Sequence, residues 1–326
     1  MTMEFIWYLV LSLVCVIHCI IKTKDSKYCA LFYFLFFSIF SLITRYSGWD
    51  VDFYTYSASL KSNQIDFYYL REPGYWLSSR VIYSIINSAE LTFFIFDIIS
   101  FIFIWLANKN FKLPSYFPYM FLLFFPSVMG INNVYRQYLA MAIFLYSFSL
   151  ILSNKGRFRS AIFSAFSMLT HNISMLFFPV IFIKYSRKVS VYMIINCLFI
   201  IFILPFALST KSNTETGNVN SYVYIIISFL MLLFYYSSYR GKLNGVNLQL
   251  LYYQIYMNIL LIVSILSMGG TQSKRVGMFC LSISLIMLVR AIEDNYKEKR
   301  LVRIAVCFLI ISPTLIISNA TQFLLT

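Results

Sequence analysis

The sequence predicts an all-α, polytopic integral membrane protein with about 10–12 transmembrane helices. Three observations predict it. First, 60% of the 326 residues are hydrophobic and 12% are charged, about half the charged share of an ordinary soluble domain. Second, the apolar residues fall in runs near the roughly 20 residues that cross a bilayer, and spans in lipid must be helical because an unpaired backbone group there is costly. Third, the basic residues stand in short clusters between the apolar runs, the pattern of cytoplasmic loops. The net charge of +14 is therefore spread along loops rather than gathered in one patch, and no nucleic-acid partner is expected.

Spans are expected at 4–21, 29–44, 91–107, 116–130, 136–152, 190–208, 221–238, 248–268, 276–292 and 301–319. No Lys or Arg precedes the first run, so it reads as a permanent span rather than a cleaved signal. Residues 75–89 mix apolar side chains with Ser78, Ser79, Arg80, Ser84 and Asn87, as an interfacial amphipathic helix does. They close the longest outer segment, 45–90. Residues 160–183 are apolar but interrupted by Thr170-His171-Asn172, with basic clusters on both sides. Two half-helices meeting near His171-Asn172, a re-entrant segment, fit these flanks better than a single span, and such backbone must line a protein-enclosed cavity. The whole chain, 1–326, is expected to form one polytopic membrane domain. The six cysteines lie in or beside apolar runs without a CxxC, so they read as small buried hydrophobes, and no metal site is expected.

With the N-terminus outside, 18 of the 26 Lys and Arg fall on the inner side. The opposite orientation reverses that ratio, so the positive-inside rule selects N-out. Glu4, Asp50, Asp52, Asp66, Glu72, Glu90 and Glu215 then lie outside, and Asp97 alone lies within a span. Every Lys and Arg is expected in a loop or at a helix end.

The outer face carries five clusters with chemical potential. Trp49-Asp50-Val51-Asp52-Phe53-Tyr54-Thr55-Tyr56 combines carboxylates with flat aromatic faces, which suit sugar rings and hydroxyls; an interfacial aromatic belt uses the same residues. Arg71-Glu72-Pro73-Gly74 is a charged turn opening a helix, with a salt-bridged cap as the plain alternative. Arg136-Gln137 opens the helix after Asn132-Asn133; a guanidinium there can grip a diphosphate bidentately or anchor to headgroups. His171 within Thr170-His171-Asn172-Ile173-Ser174 can act as a base near neutral pH or bond a neighbouring carbonyl. Gly269-Gly270-Thr271-Gln272-Ser273-Lys274-Arg275 reads as an outer loop with two cations for a second phosphate. Asp97 is a functional candidate by its depth, or a partner for a neighbouring helix.

The order GWDVDFYTY, REPGYW, NNVYRQYLAMAIFLYS, KGRFR and THNIS resembles the EpsG family, Wzy-like polymerases of O-antigen and exopolysaccharide. The resemblance is carried by residues 45–185 and implies a GT-C-like all-helical fold. It also implies a glycosyltransferase in the bacterial inner membrane, using undecaprenyl-diphosphate-linked glycans at the periplasmic face; no cofactor is expected, and because no metal-ligand cluster of suitable spacing is present, no divalent ion is expected to be required. Membrane lipids are expected partners, and the resemblance further implies a chain-length regulator protein. The expected catalytic residues are His171 as first base, Glu72 or Asp52 as second, and Arg136 on the diphosphate. Trp49, Asp50, Tyr54, Tyr56, Arg71, Gln137, Asn172, Lys274 and Arg275 are the expected substrate-binding residues. A flippase for lipid-linked oligosaccharide is the main alternative, disfavoured by the absence of expected cations within spans; an O-antigen ligase is chemically close. A membrane O-acetyltransferase and a scaffold fit the outward polar residues less well.

Overall fold

The computed structural model describes residues 2–21, 27–47, 51–62, 67–182, 220–240, 242–268 and 270–316. The described chain is helical, without strands, and divides into two compact units: 1–175 with 303–326, and 176–302. Among the described residues, seven helices are long and apolar enough to cross a membrane.

In the first unit, α1 (Met3–Ile21) and α2 (Lys27–Tyr46) match the first two expected spans. The outer segment is itself largely helical, with α3 (Val51–Lys61), α4 (Phe67–Leu70) and α5 (Pro73–Ile86). The segment 75–89, expected as an interfacial helix, forms the helix α5. It buries Tyr75, Trp76 and Ser79 and exposes Leu77, Val81 and Ile85, an apolar stripe at helical spacing. Pro73 suits its first turn, where a missing N–H costs nothing.

The long α6 (Ala89–Phe111) starts on a Ser88 cap, whose hydroxyl accepts the Leu91 N–H at 3.2 Å. The span expected at 116–130 is instead two short helices, α7 (Phe117–Leu123) and α8 (Phe125–Asn133), parted by an extended Phe124. Pro126 causes the break: it has no N–H for the Leu122 carbonyl, and its ring crowds the preceding turn. The break leaves the Leu123 carbonyl free of the helix ladder. Tyr8 of α1 and Thr314 both donate hydroxyls to it, each at 3.0 Å.

Next come α9 (Tyr135–Leu152) and α10 (Arg157–Thr170). Serines seam this pair: Ser147 meets Ser160 and Ser164, and the Ser167 hydroxyl donates to the Ala140 carbonyl at 2.7 Å. Helix α10, at about 1.5 Å per residue, is too short for a hydrocarbon core of about 30 Å. It ends at His171, whose backbone is extended, and a 3-10 segment follows over Asn172–Phe182. The break expected near His171-Asn172 is thus where the chain leaves the α-helix.

The second unit holds α11 (Ser221–Ser238), α12 (Gly245–Ser267) and α13 (Gly270–Asn295). Gly277 permits the close crossing of α11 and α13, since a Cβ there would lie 2.7 Å from the Tyr224 side chain. Ser228, Gln254, Asn258, Cys280 and Ser284 join the three helices in a buried hydrogen-bonded network, polar glue where lipid offers no hydrophobic drive. Helix α14 (Lys299–Ile316) has its residues from Arg303 onward in the first unit. The span expected at 190–208 lies outside the described residues.

Two sequence expectations about charge are corrected. The segment around Lys274 and Arg275 is not a loop but the opening turns of α13. Arg290, counted with the inner loops, stands inside α13, while Arg45, at the end of α2 as expected, is buried. The helices outrun the apolar stretches that announce them, because a flanking Arg with a partner can be carried into the bundle.

Candidate active site

The turn Arg71-Glu72 and the start of α5 place Glu72 as the N-cap of that helix, its carbonyl accepting the Tyr75 and Trp76 N–H groups at 3.2 Å. The side chain does not cap the helix. It turns inward, is buried, and gathers donors from two other segments. Arg136, in the first turn of α9, donates through its terminal nitrogen to Glu72 Oε2. The Asn172 backbone N–H donates to Glu72 Oε1 at 3.2 Å. His171 Nε2 faces the same oxygen at 3.9 Å. Three segments separated by 64 and 100 residues thus converge on one carboxylate.

The histidine's orientation is set locally. The Ile173 N–H donates to His171 Nδ1 at 3.2 Å, which puts the proton of the neutral ring on Nε2, the nitrogen toward Glu72. Gly74 makes the convergence possible: a Cβ there would lie 2.9 Å from the backbone carbonyl carbon of Leu169, so α5 and α10 touch backbone to backbone.

Arg136 is boxed by aromatic rings. Its Nε donates to the Tyr56 hydroxyl at 3.2 Å, and its guanidinium carbon lies 5.2 Å from the Tyr56 ring centre and 4.9 Å from that of Trp76. Phe53, Tyr75, Phe93 and Tyr135 pack around these rings. The Arg136 side chain is 11% exposed, a cation at the edge of an aromatic wall rather than a solvated one.

Directly beside this wall lies an ion pair that sequence reasoning treats only in part. Arg45 donates through Nε and a terminal nitrogen to the two oxygens of Asp97, at 2.8 and 2.7 Å, and to the Ile131 carbonyl at 3.0 Å. Ser41 donates to the same carboxylate. The Arg45 guanidinium carbon lies 3.9 Å from the Tyr135 ring centre. Asp97 is thus a helix-pairing residue. The available signal was its isolation within a span, which demands a cation at matching depth.

The expected residues separate clearly. Glu72, Arg136, His171 and Tyr56 come together, and Asn172 contributes its backbone N–H while its side chain is exposed. Gln137 is buried in the helix packing, Arg71 is exposed at its turn, and Tyr54 is exposed on α3. Lys274 and Arg275 belong to the second unit, where Arg275 reaches Gln272 Oε1 at 3.5 Å. Trp49 and Asp50, and the side chain of Asp52, lie outside the described residues.

The family model described as the EpsG family matches residues 27–324, a stretch that contains every member of this site. The chain belongs to the EpsG family. No curated protein and no solved structure matches it. EpsG membership associates the chain with polysaccharide biosynthesis and a polymerase-type function. Within this EpsG chain the match also takes in α11–α14, where the sequence motifs are weakest.

Proposed function

We propose that this chain is a glycosyltransferase that polymerises undecaprenyl-diphosphate-linked oligosaccharide units at the periplasmic face of the bacterial inner membrane. The observation that carries the reading is the convergence of Arg136, Asn172 N–H and His171 on the Glu72 carboxylate. It pairs a general base with the cation that a diphosphate needs.

The reaction follows from that pairing. A donor diphosphate draws the Arg136 guanidinium from Glu72 to its own oxygens, a better bidentate partner. Glu72, relieved of its strongest donor, takes the proton of the acceptor sugar hydroxyl. The hydroxyl oxygen bonds to the anomeric carbon, the bond from that carbon to the diphosphate oxygen breaks, and the lipid diphosphate leaves with the electron pair. Arg136 stabilises the charge that grows on it, the largest lever such a site has. His171 stands beside the carboxylate, with Nε2 3.9 Å from Oε1, as the base's polar neighbour rather than the base. The exposed Tyr54 ring is suited to stacking on sugar. No step calls for a metal ion.

The placement on the periplasmic side is supported by charge. Helices α6 and α9 run parallel, with Phe93 against Tyr135 at the site end and Asn110 bonded to Ser149 at the other. Lys109, Lys112, Lys155, Arg157 and Arg159 all belong to that other end, and a basic end faces the cytoplasm.

The test is a gel of surface polysaccharide from cells lacking the protein and complemented with wild type or Arg136→Ala. A ladder with wild type that collapses to a single capped unit with the variant supports polymerisation. Loss of all capped units in the deletion strain points to flipping or ligation instead.

A further inference from the structure

Cys15, Cys19 and Cys307 are separated by up to 292 residues yet meet in the first unit. Cys15 and Cys19 lie one turn apart on the same face of α1, and Cys307 comes from α14. All three are fully buried, and their sulfurs lie within 4.8 Å of one another, Cys15 and Cys307 at 3.5 Å. Thiolates on a tetrahedral zinc ion, at about 2.3 Å each, stand about 3.8 Å apart. The cluster brackets that spacing, with Cys15 and Cys307 at 3.5 Å and every sulfur pair within 4.8 Å.

We infer that these three cysteines form a structural site for a thiophilic divalent cation, of which Zn²⁺ is the natural occupant. Charge favours this choice. Three thiolates and a divalent ion leave one negative charge, which is expensive in a hydrocarbon surround. Arg303, one turn before Cys307 and buried with it, donates to the Cys19 carbonyl at 3.4 Å. Its single positive charge makes the group neutral. A monovalent ion on the same ligands would leave a net negative charge. Soft sulfur donors also select against Mg²⁺ and Ca²⁺.

The site ties the N-terminal helix to the last one. It lies at the end of the unit where α6 finishes: Cys15 is 3.9 Å from the Tyr116 carbonyl, whereas Glu72 and Arg136 sit where α6 begins. About one helix length, some 23 residues at about 1.5 Å each, separates them, so the ion takes no part in sugar transfer and the inference stands independently of the proposed function.

The test uses the full-length protein in detergent micelles, purified with its thiols reduced. After dialysis against Zn²⁺ and then buffer, elemental analysis is expected to find about one zinc per chain. Cd²⁺ used as a probe should give a sulfur-to-metal charge-transfer absorption. Cys307→Ser and Cys15→Ser should each weaken retention at least tenfold, while Cys280→Ser, in the second unit, should not. Wild-type protein should also melt at a higher temperature with Zn²⁺ than with a chelator, a readout that survives if the variants fail to fold. Zinc retained equally by Cys307→Ser, or no zinc in the wild type, would each overturn the inference.

Discussion

Arg136 and Glu72 are joined by a hydrogen-bonded ion pair across 64 residues of sequence, with the guanidinium held between the Tyr56 and Trp76 rings. The pair uses two features of arginine at once, since Nε serves Tyr56 while a terminal nitrogen serves Glu72. Lysine has one nitrogen and no planar fork. Arg136→Lys should therefore insert normally but lose about 10²–10³ in polymer formation, the scale of removing one preorganised charge donor. Polymer length and amount on a gel, with protein level checked by immunoblot, measure this. A ladder of normal length from the lysine variant would remove the diphosphate role.

The division of labour between Glu72 and His171 is open to a direct comparison. With Ile173 N–H on Nδ1, neutral His171 presents a proton rather than a lone pair to Glu72. Glu72→Gln keeps an oxygen for the Asn172 N–H but cannot take a proton, so activity should fall by about 10²–10⁴. His171→Ala removes a polar neighbour 3.9 Å from the carboxylate, too far for a direct hydrogen bond, and should cost less than Glu72→Gln. The reverse ranking would make His171 the base.

Gly74 tests whether the backbone contact positions the site. In Gly74→Ala the new Cβ meets the Leu169 backbone at 2.9 Å, which cannot rotate away as a side chain would. Helix α5 must shift from α10, and Glu72 moves with it. Overpacking of this kind costs about 1–3 kcal/mol, and polymerisation should fall more than stability does. A variant with wild-type melting and a wild-type ladder would show that α5 has slack.

The Arg45–Asp97 pair predicts an asymmetric stability effect. Asp97→Asn leaves a buried guanidinium without its counter-charge and should cost about 3–5 kcal/mol, read as a lowered melting temperature in detergent. Replacing both, Arg45→Met with Asp97→Leu, should recover most of that loss, because neither charge is then stranded. If the double variant melts as low as the single one, the pair is needed for more than mutual neutralisation. Tyr135, stacked on Arg45 at 3.9 Å, is the connection through which such a need would reach Arg136.

Much of this architecture is legible in the sequence, for physical reasons that differ by element. Helices announce themselves because lipid demands apolar runs, and the break at His171 shows because three polar residues interrupt one. Glu72, Arg136 and His171 stand out as polar groups near apolar segments. Their meeting does not, because no local pattern encodes contacts between segments 64 and 100 residues apart. Arg45 is hidden for a related reason: at the end of an apolar run it looks like a loop cation, and only its partner on α6 explains its burial. The split of 116–130 was readable from Pro126, whose missing N–H outweighs the continuous hydropathy around it. The cysteines read as buried hydrophobes because spacing within each helix says nothing of a third thiol on α14.

Orientation is the last property the sequence assigns by charge alone, and it decides which compartment meets the site. Five basic residues, Lys109, Lys112, Lys155, Arg157 and Arg159, mark the end of the first unit away from Glu72. Lys155 is exposed, and its ammonium donates to Asn110 at 2.7 Å, which fixes both residues at that end. Asp50 stands in the sequence just before α3, whose Tyr56 belongs to the site. In intact cells a membrane-impermeant maleimide should label Asp50→Cys and leave Lys155→Cys untouched until the membrane is opened. The buried native cysteines, Cys15, Cys19, Cys29, Cys280 and Cys307, should contribute little background. Labelling of Lys155→Cys alone in intact cells would place the site in the cytoplasm, where a polymerase of exported lipid-linked units cannot work, and the proposed function would fall with the topology.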